Sequence, residues 1–120
     1  MTRRNRTALL ATLVALGVGA GSAAEAATYH GYVGPGASIA LLNSSGSSVS
    51  RIPVGRHRFV IHDNSSSHNF VLKRGSVRLR GTTVGGTGVV TWRGVRVRAG
   101  RHTYFCQPHS SSMRGSFRGV

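Results

Sequence analysis

From residue 27 onward, no long stretch of this chain sets apolar residues at helical spacing, which leaves a helical architecture without support. What recurs is short runs rich in Val, Ile, Phe and Thr, cut by Gly, Ser and Asn, the composition of strands and their turns. Residues 37–42, 49–52, 58–62, 69–73, 77–80, 89–92, 95–98, 102–106 and 116–120 all read as strands. Residues 43–48 and 84–88 read as turns, and 28–36 as a leading segment not counted among the strands. Such even spacing predicts an all-β chain folded as an antiparallel β-sandwich or barrel.

The beginning of the chain has a different character. Arg3, Arg4 and Arg6 precede an apolar run from Ala8 to Ala20, and small residues follow to Ala24, Glu25 and Ala26. This is the layout of a secretory signal peptide over residues 1–26, cut after Ala26. The run falls short of the roughly 20 residues a spanning helix needs. No membrane span is therefore expected after the cut, and the protein is expected in the periplasm or outside the cell. A leading segment (27–36) and one domain (37–120) remain.

Beyond Ala26 the chain keeps 94 residues, 13 basic side chains and one acid, Asp63, for a net charge of +12. A domain of this size buries only about 60–65% of its unfolded surface, and exported domains so small often rely on disulfides. With Cys106 as the sole cysteine, no internal disulfide can form. An odd cysteine in an exported protein points to an intermolecular bridge or to a thiol with a task. A bound metal would protect the thiolate and staple the fold at once, and a ligated cysteine argues for a monomer.

In "VRLR" and "VRVR", Val77, Leu79, Val95 and Val97 alternate with Arg78, Arg80, Arg96 and Arg98. A period of two sends the valines inward and the arginines outward. The arginines either form a solvated face that resists edge pairing or dock an anionic partner, such as an acidic protein surface or a cell-envelope polymer. Nucleic acid is not expected, because the arginines lack interleaved aromatics for stacking. Gly85, Gly86 and Gly88 lack the Lys-Ser/Thr of a phosphate loop and read as a turn.

Chemistry concentrates in "YFCQPHSSSM" (104–113). Cys106, His109 and Met113 follow the pattern Cys-x2-His-x3-Met, with Pro108 stiffening the loop just before the histidine. A strand ending at Cys106 and a tight loop can turn the three side chains toward one point. The best fourth donor is His68 in "SSSHNFVL", at the start of another strand. Two imidazoles, a thiolate and a weak axial thioether suit copper, where sulfur favours Cu(I) and imidazole accommodates Cu(II). A structural zinc site would use four Cys or His ligands, and haem attachment would need Cys-x-x-Cys-His. A nucleophilic Cys–His pair is the remaining use of such residues.

At these positions the chain resembles the cupredoxins, of the plastocyanin and azurin kind. The resemblance covers residues 37–120 and is carried by "HNFVL" (68–72), "AGRHTYFC" (99–106), "PHSSSM" (108–113) and the closing "RGSFRGV". It implies a Greek-key β-sandwich with one type 1 copper ion at one end, held by His68, Cys106 and His109 with Met113 axial. It further implies that Asn69 ties the two ligand-bearing segments together and hydrogen-bonds near the thiolate, and that His109 has an edge near the surface where electrons leave. The chain departs from the family's pattern where His102 stands for the usual tyrosine, in its His-to-Met spacing, and in lacking an acidic docking patch. The period of two places His102, Tyr104 and Cys106 on the inward face and Phe105 outward. His30, His57 and His62 read as surface or structural histidines, with His57 and His62 on opposite faces of one strand.

Three functions compete. One is an exported electron carrier, cycling a single copper between Cu(II) and Cu(I) and meeting redox partner proteins, for which acidic docking surfaces are expected. Another is a copper buffer or chaperone without redox partners. The last is a basic module that binds an anionic envelope polymer. An enzyme is not expected, because oxygen chemistry on related folds needs further histidine clusters. Absence of a Met-rich segment or a Cys-x-x-Cys pair favours the carrier over a Cu(I) chaperone.

Overall fold

The computed structural model describes residues 25–120, so all but the last two residues of the expected signal peptide lie outside it. Nine strands form two facing sheets: β1 (Thr28–Val33), β2 (Ile39–Asn43), β3 (Arg51–Ile52), β4 (Gly55–Asp63), β5 (Val71–Arg74), β6 (Val77–Gly81), β7 (Gly88–Val97), β8 (Gly100–Phe105) and β9 (Arg114–Gly119). One sheet has the order β2-β1-β4-β7 and the other β3-β9-β8-β5-β6. The chain leaves β4 for the β5–β6 hairpin in the opposite sheet, returns as β7 beside β4, and crosses again so that β8 pairs with β5. This is the Greek-key sandwich expected from the sequence. Both sheets are mixed rather than purely antiparallel, since β1 runs parallel to β4 and β3 to β9.

The leading segment is a correction. Residues 28–33 are a full strand, pairing with β2 on one side and β4 on the other. Gly31, in mid-strand, hides its alternation from a reading of residue types. Gly31 is a packing requirement: a Cβ there would lie 2.8 Å from Ile61 Cδ1 and 2.9 Å from the Phe70 ring. Tyr29, Gly31 and Val33 therefore face the core, while His30 and Tyr32 face outward.

The two strands expected at 89–92 and 95–98 are one. Gly94, at φ 59°, lets β7 continue through a bulge, where pairing with β4 steps from Phe59–Trp92 to His57–Val95. Inward valines hold at Val95 and Val97 but fail at Val77, which is 60% exposed. β6 is the edge strand of its sheet and has nothing packed over that end.

Phe59, Ile61, Phe70, Leu72, Val97 and Phe117 fill the space between the sheets. Burying a side chain of this size contributes about 1.5–3 kcal/mol. Phe70 is central, with its ring edge-on to Trp92 at 6.1 Å and parallel to Tyr104 at 5.4 Å. Tyr104 in turn lies where a side chain at Gly115 would be, since a Cβ there would meet its ring at 2.4 Å. That close fit fixes β8 against β9 just before the Cys106 loop.

Before β1, the carboxylate of Glu25 accepts from Arg58 Nε at 3.0 Å and also from the Gly94 N–H in the bulge. Ala26 N–H donates to Arg56 O at 2.9 Å. A chain starting at Ala27, as the expected cut leaves it, forgoes the carboxylate clip.

Candidate metal centre

The β8–β9 loop begins as β8 ends. Cys106 is extended at φ −95°, ψ 124°, and a 3₁₀ turn follows over Gln107–His109 with Pro108 in its first positions. Proline's fixed φ and missing N–H suit that place. His109 N–H donates to Cys106 O at 3.1 Å, Met113 N–H to His109 O at 2.8 Å, and Cys106 N–H to Met113 O at 3.0 Å. These three bonds close the loop on itself, so the backbones of Cys106, His109 and Met113 are tied directly to one another.

His68 comes from the β4–β5 connection. His68 N–H reaches Ser65 O at 3.4 Å, and Ser65 N–H donates to the carboxylate of Asp63 at 3.1 Å. Asp63 is buried, and that burial pushes its proton affinity up. The segment is bolted to the Cys106 loop by Asn69, which is fully buried. Asn69 Oδ1 accepts from Gln107 N–H at 2.8 Å, while its Nδ2 donates to Gln107 Oε1 at 2.8 Å and to Thr82 O at 3.2 Å. Thr82 Oγ1 accepts from Phe70 N–H at 2.8 Å, and Thr82 N–H donates to Phe70 O at 3.0 Å, which pins Thr82 beside Asn69.

These supports bring three donors together. Cys106 Sγ lies 3.6 Å from His68 Nδ1 and 3.6 Å from His109 Nδ1, and all three donors lie within 4.8 Å of one another. An ion about 2.3 Å from sulfur and about 2.0–2.1 Å from nitrogen spans about 3.6–3.8 Å between them, for angles between tetrahedral and trigonal. The donor spacing therefore fits one small transition-metal ion. Cys106 and His68 are buried and His109 is exposed, while Met113 is buried beside them at 1% exposure. The imidazoles of His68 and His109 meet edge to face, with centroids 4.8 Å apart.

The inward parity of β8 holds at His102, Tyr104 and Cys106. Phe105 faces outward under Lys73, whose Nζ is 5.3 Å from the ring centre. His102 belongs to the core. It stacks on Phe117 at 4.7 Å, its Nδ1–H donates to Gly100 O at 3.0 Å, and its Nε2 has no partner. Burial depresses its proton affinity below the usual value near 6.5, Gly100 O works the other way, and Arg74 adds to the depression. The unfolded chain thus binds a proton that the folded one refuses, so stability is full above about pH 6.5 and falls as pH drops below it. For the copper-free protein, the denaturation midpoint is expected to fall between pH 7 and pH 5, and His102→Leu is expected to flatten that slope. His57, also core, donates from Nε2 to Pro53 O at 2.6 Å, leaving its Nδ1 unpartnered.

The four arginines singled out in the sequence do not act as one row. Arg78 lies back against Gly81, and Arg80 donates to the carbonyls of Leu79 and Arg93. Arg96 and Arg98 instead join Arg74 around a groove of about 290 Å³, floored by Val77 and Leu79. Alternation alone did not identify Arg74, because it reaches the groove from the neighbouring strand β5, where it also donates to Ala99 O.

No family model and no curated protein sequence matches this chain. Among solved structures it is similar to auracyanin A, a blue copper protein from the green thermophilic photosynthetic bacterium Chloroflexus aurantiacus. The likeness has 16% sequence identity and a TM-score of 0.48, and it covers 78% of this chain and 98% of that one.

Proposed function

We propose that this chain is a cupredoxin, a small blue-copper protein that carries single electrons between redox partners. The observation that carries the reading is the thiolate-forming Cys106 with two imidazole nitrogens, each 3.6 Å from its sulfur, at one end of a Greek-key sandwich. His68, Cys106 and His109 would hold the ion, with the buried Met113 available as a weak fourth ligand. Such a donor set gives its metal access to Cu(II) and Cu(I), and with them the transfer of one electron.

The rest is work for the protein's own residues. Asn69 and the three loop hydrogen bonds hold the donors at one spacing whatever the charge between them, which keeps rearrangement small. The buried Cys106 and His68 are shielded from water and oxidants, whereas His109 opens a single exposed edge toward a partner. Arg74, Arg96 and Arg98 offer a cationic groove with no acid among its lining residues, suited to a partner with an acidic docking surface. Arg78 and Arg80 add to that positive field.

Export belongs to the same reading and rests on the arginine-led apolar segment at the N-terminus. Among the described residues, no helix is long and apolar enough to cross a membrane. The test is the rate of electron self-exchange in the copper-loaded protein. Rapid, reversible one-electron exchange without loss of copper is expected. Sluggish exchange with ready release of copper to a chelator would overturn the carrier in favour of a copper buffer.

A further inference from the structure

Away from the metal centre, two histidines meet on the outer face of the first sheet. His30 lies on β1 and His62 on the parallel β4, with His30 level with Val60 and Tyr32 level with His62. Both are half-buried and point away from the core. A diagonal step brings His30 Nδ1 within 3.3 Å of His62 Nε2. Tyr32 lies flat on His62, with centroids 4.4 Å and planes 7° apart, so one side of that imidazole is braced. In sequence the two are 32 positions apart, and neither strand alone supplies a second donor, which is why each reads singly as a surface histidine.

We infer that His30 and His62 form a second metal site, separate from Cys106, for a divalent ion of the imidazole-binding class such as Zn(II) or Cu(II). Two nitrogens, each about 2.0–2.1 Å from a tetrahedral ion, lie about 3.3 Å apart, which is the separation of this pair. Metal-free, the two rings share one N–H···N bond, with centroids 5.5 Å and planes 28° apart, and binding an ion turns both lone pairs toward a common point. Burial and the neighbouring His30 depress the proton affinity of His62, which leaves it a neutral ligand near pH 7. The setting also matters in so basic a chain. The residues level with the pair on the flanking strands are Leu42, Ala40, Thr91 and Val89, none of them charged. Arg58, two steps along the same face of β4, is paired with Glu25 in the full chain and loses that partner in a chain cut after Ala26. A cation placed here meets no charged residue level with it on either flanking strand, and water completes its coordination.

The site is tested by adding Zn(II) stepwise to the full folded chain, supplied first with Cu(I), and following imidazole nitrogen shifts by long-range 1H–15N NMR. Expected are coordination shifts at His30 Nδ1 and His62 Nε2 that saturate together at one ion. His30→Gln and His62→Gln are each expected to raise the midpoint about a hundredfold, through loss of the second donor. Circular dichroism checks that both variants keep the fold. The second site is overturned if neither histidine shifts, or if the variants titrate at the wild-type midpoint. His68 and His109 report separately in the same spectra, so failure of the copper reading shows as shifts at those residues and leaves the outer pair independently judged.

Discussion

Cu(II) added to the folded, copper-free protein is expected to produce an intense blue charge-transfer band, and Cys106→Ser is expected to abolish it. The band requires a thiolate bound directly to copper, and Cys106 is the chain's sole cysteine. Its sulfur is fully buried at equal distances from two imidazoles, so an ion that binds them also binds sulfur. Serine keeps the shape of the site and removes the soft ligand. Copper is expected to remain on the imidazoles of the variant with only the weak absorption of nitrogen and oxygen ligands. Binding should also stabilise the fold, by about 4 kcal/mol when free copper stands about 1,000-fold above Kd. Stripping the metal with a chelator should then lower Tm by a matching amount. A blue band that survives Cys106→Ser, or a Tm indifferent to copper, would sink the assignment.

The second large effect is expected at Asn69. Replacement by alanine removes three hydrogen bonds and takes the Asn69 partner from the buried Thr82 carbonyl and from the partly buried Gln107 N–H. A buried group so stranded costs about 1–3 kcal/mol, and a loss of about that size in denaturant unfolding of the copper-free protein is expected. A purely structural residue would stop there. Because Asn69 is the bolt between the His68 segment and the Cys106 loop, copper affinity should also fall by about 10–100-fold, as for other residues that orient metal ligands. Unchanged copper affinity and an unshifted blue band in Asn69→Ala would show that the two segments hold their spacing without it.

The two effects draw on different levels of organisation. The Cys106 loop is almost wholly local: three backbone hydrogen bonds within eight residues bring Cys106, His109 and Met113 together, and Pro108 presets the turn. Local chemistry of this kind is written in residue order, which is why the pattern Cys-x2-His-x3-Met was readable without coordinates. Strand identity was readable for the same reason wherever one face is buried and the other wet, as at His102, Tyr104 and Cys106. The reading failed where the deciding neighbour was distant. Residues 28–33 do not read as a strand, because Gly31 interrupts their alternation and the side chains that fill the space over it come from Ile61 and Phe70. Val77 looked like core by its alternation, but it starts an edge strand on the floor of the open groove between Arg74, Arg96 and Arg98 and stays exposed.

By itself, then, the order of residues determined the all-β class, the turn that carries three of the donors, and the basic character of the exterior. Each depends on contacts a few residues long or on charge alone. Only the tertiary structure decided that His68 stands 3.6 Å from a sulfur 38 residues later, that Arg74 joins Arg96 and Arg98, and that His30 and His62 meet. The His30–His62 pairing arises from strand register within one sheet, and the others from how the two sheets and their connections pack together. Register is set by the whole set of core side chains packing at once, and no single segment carries that information.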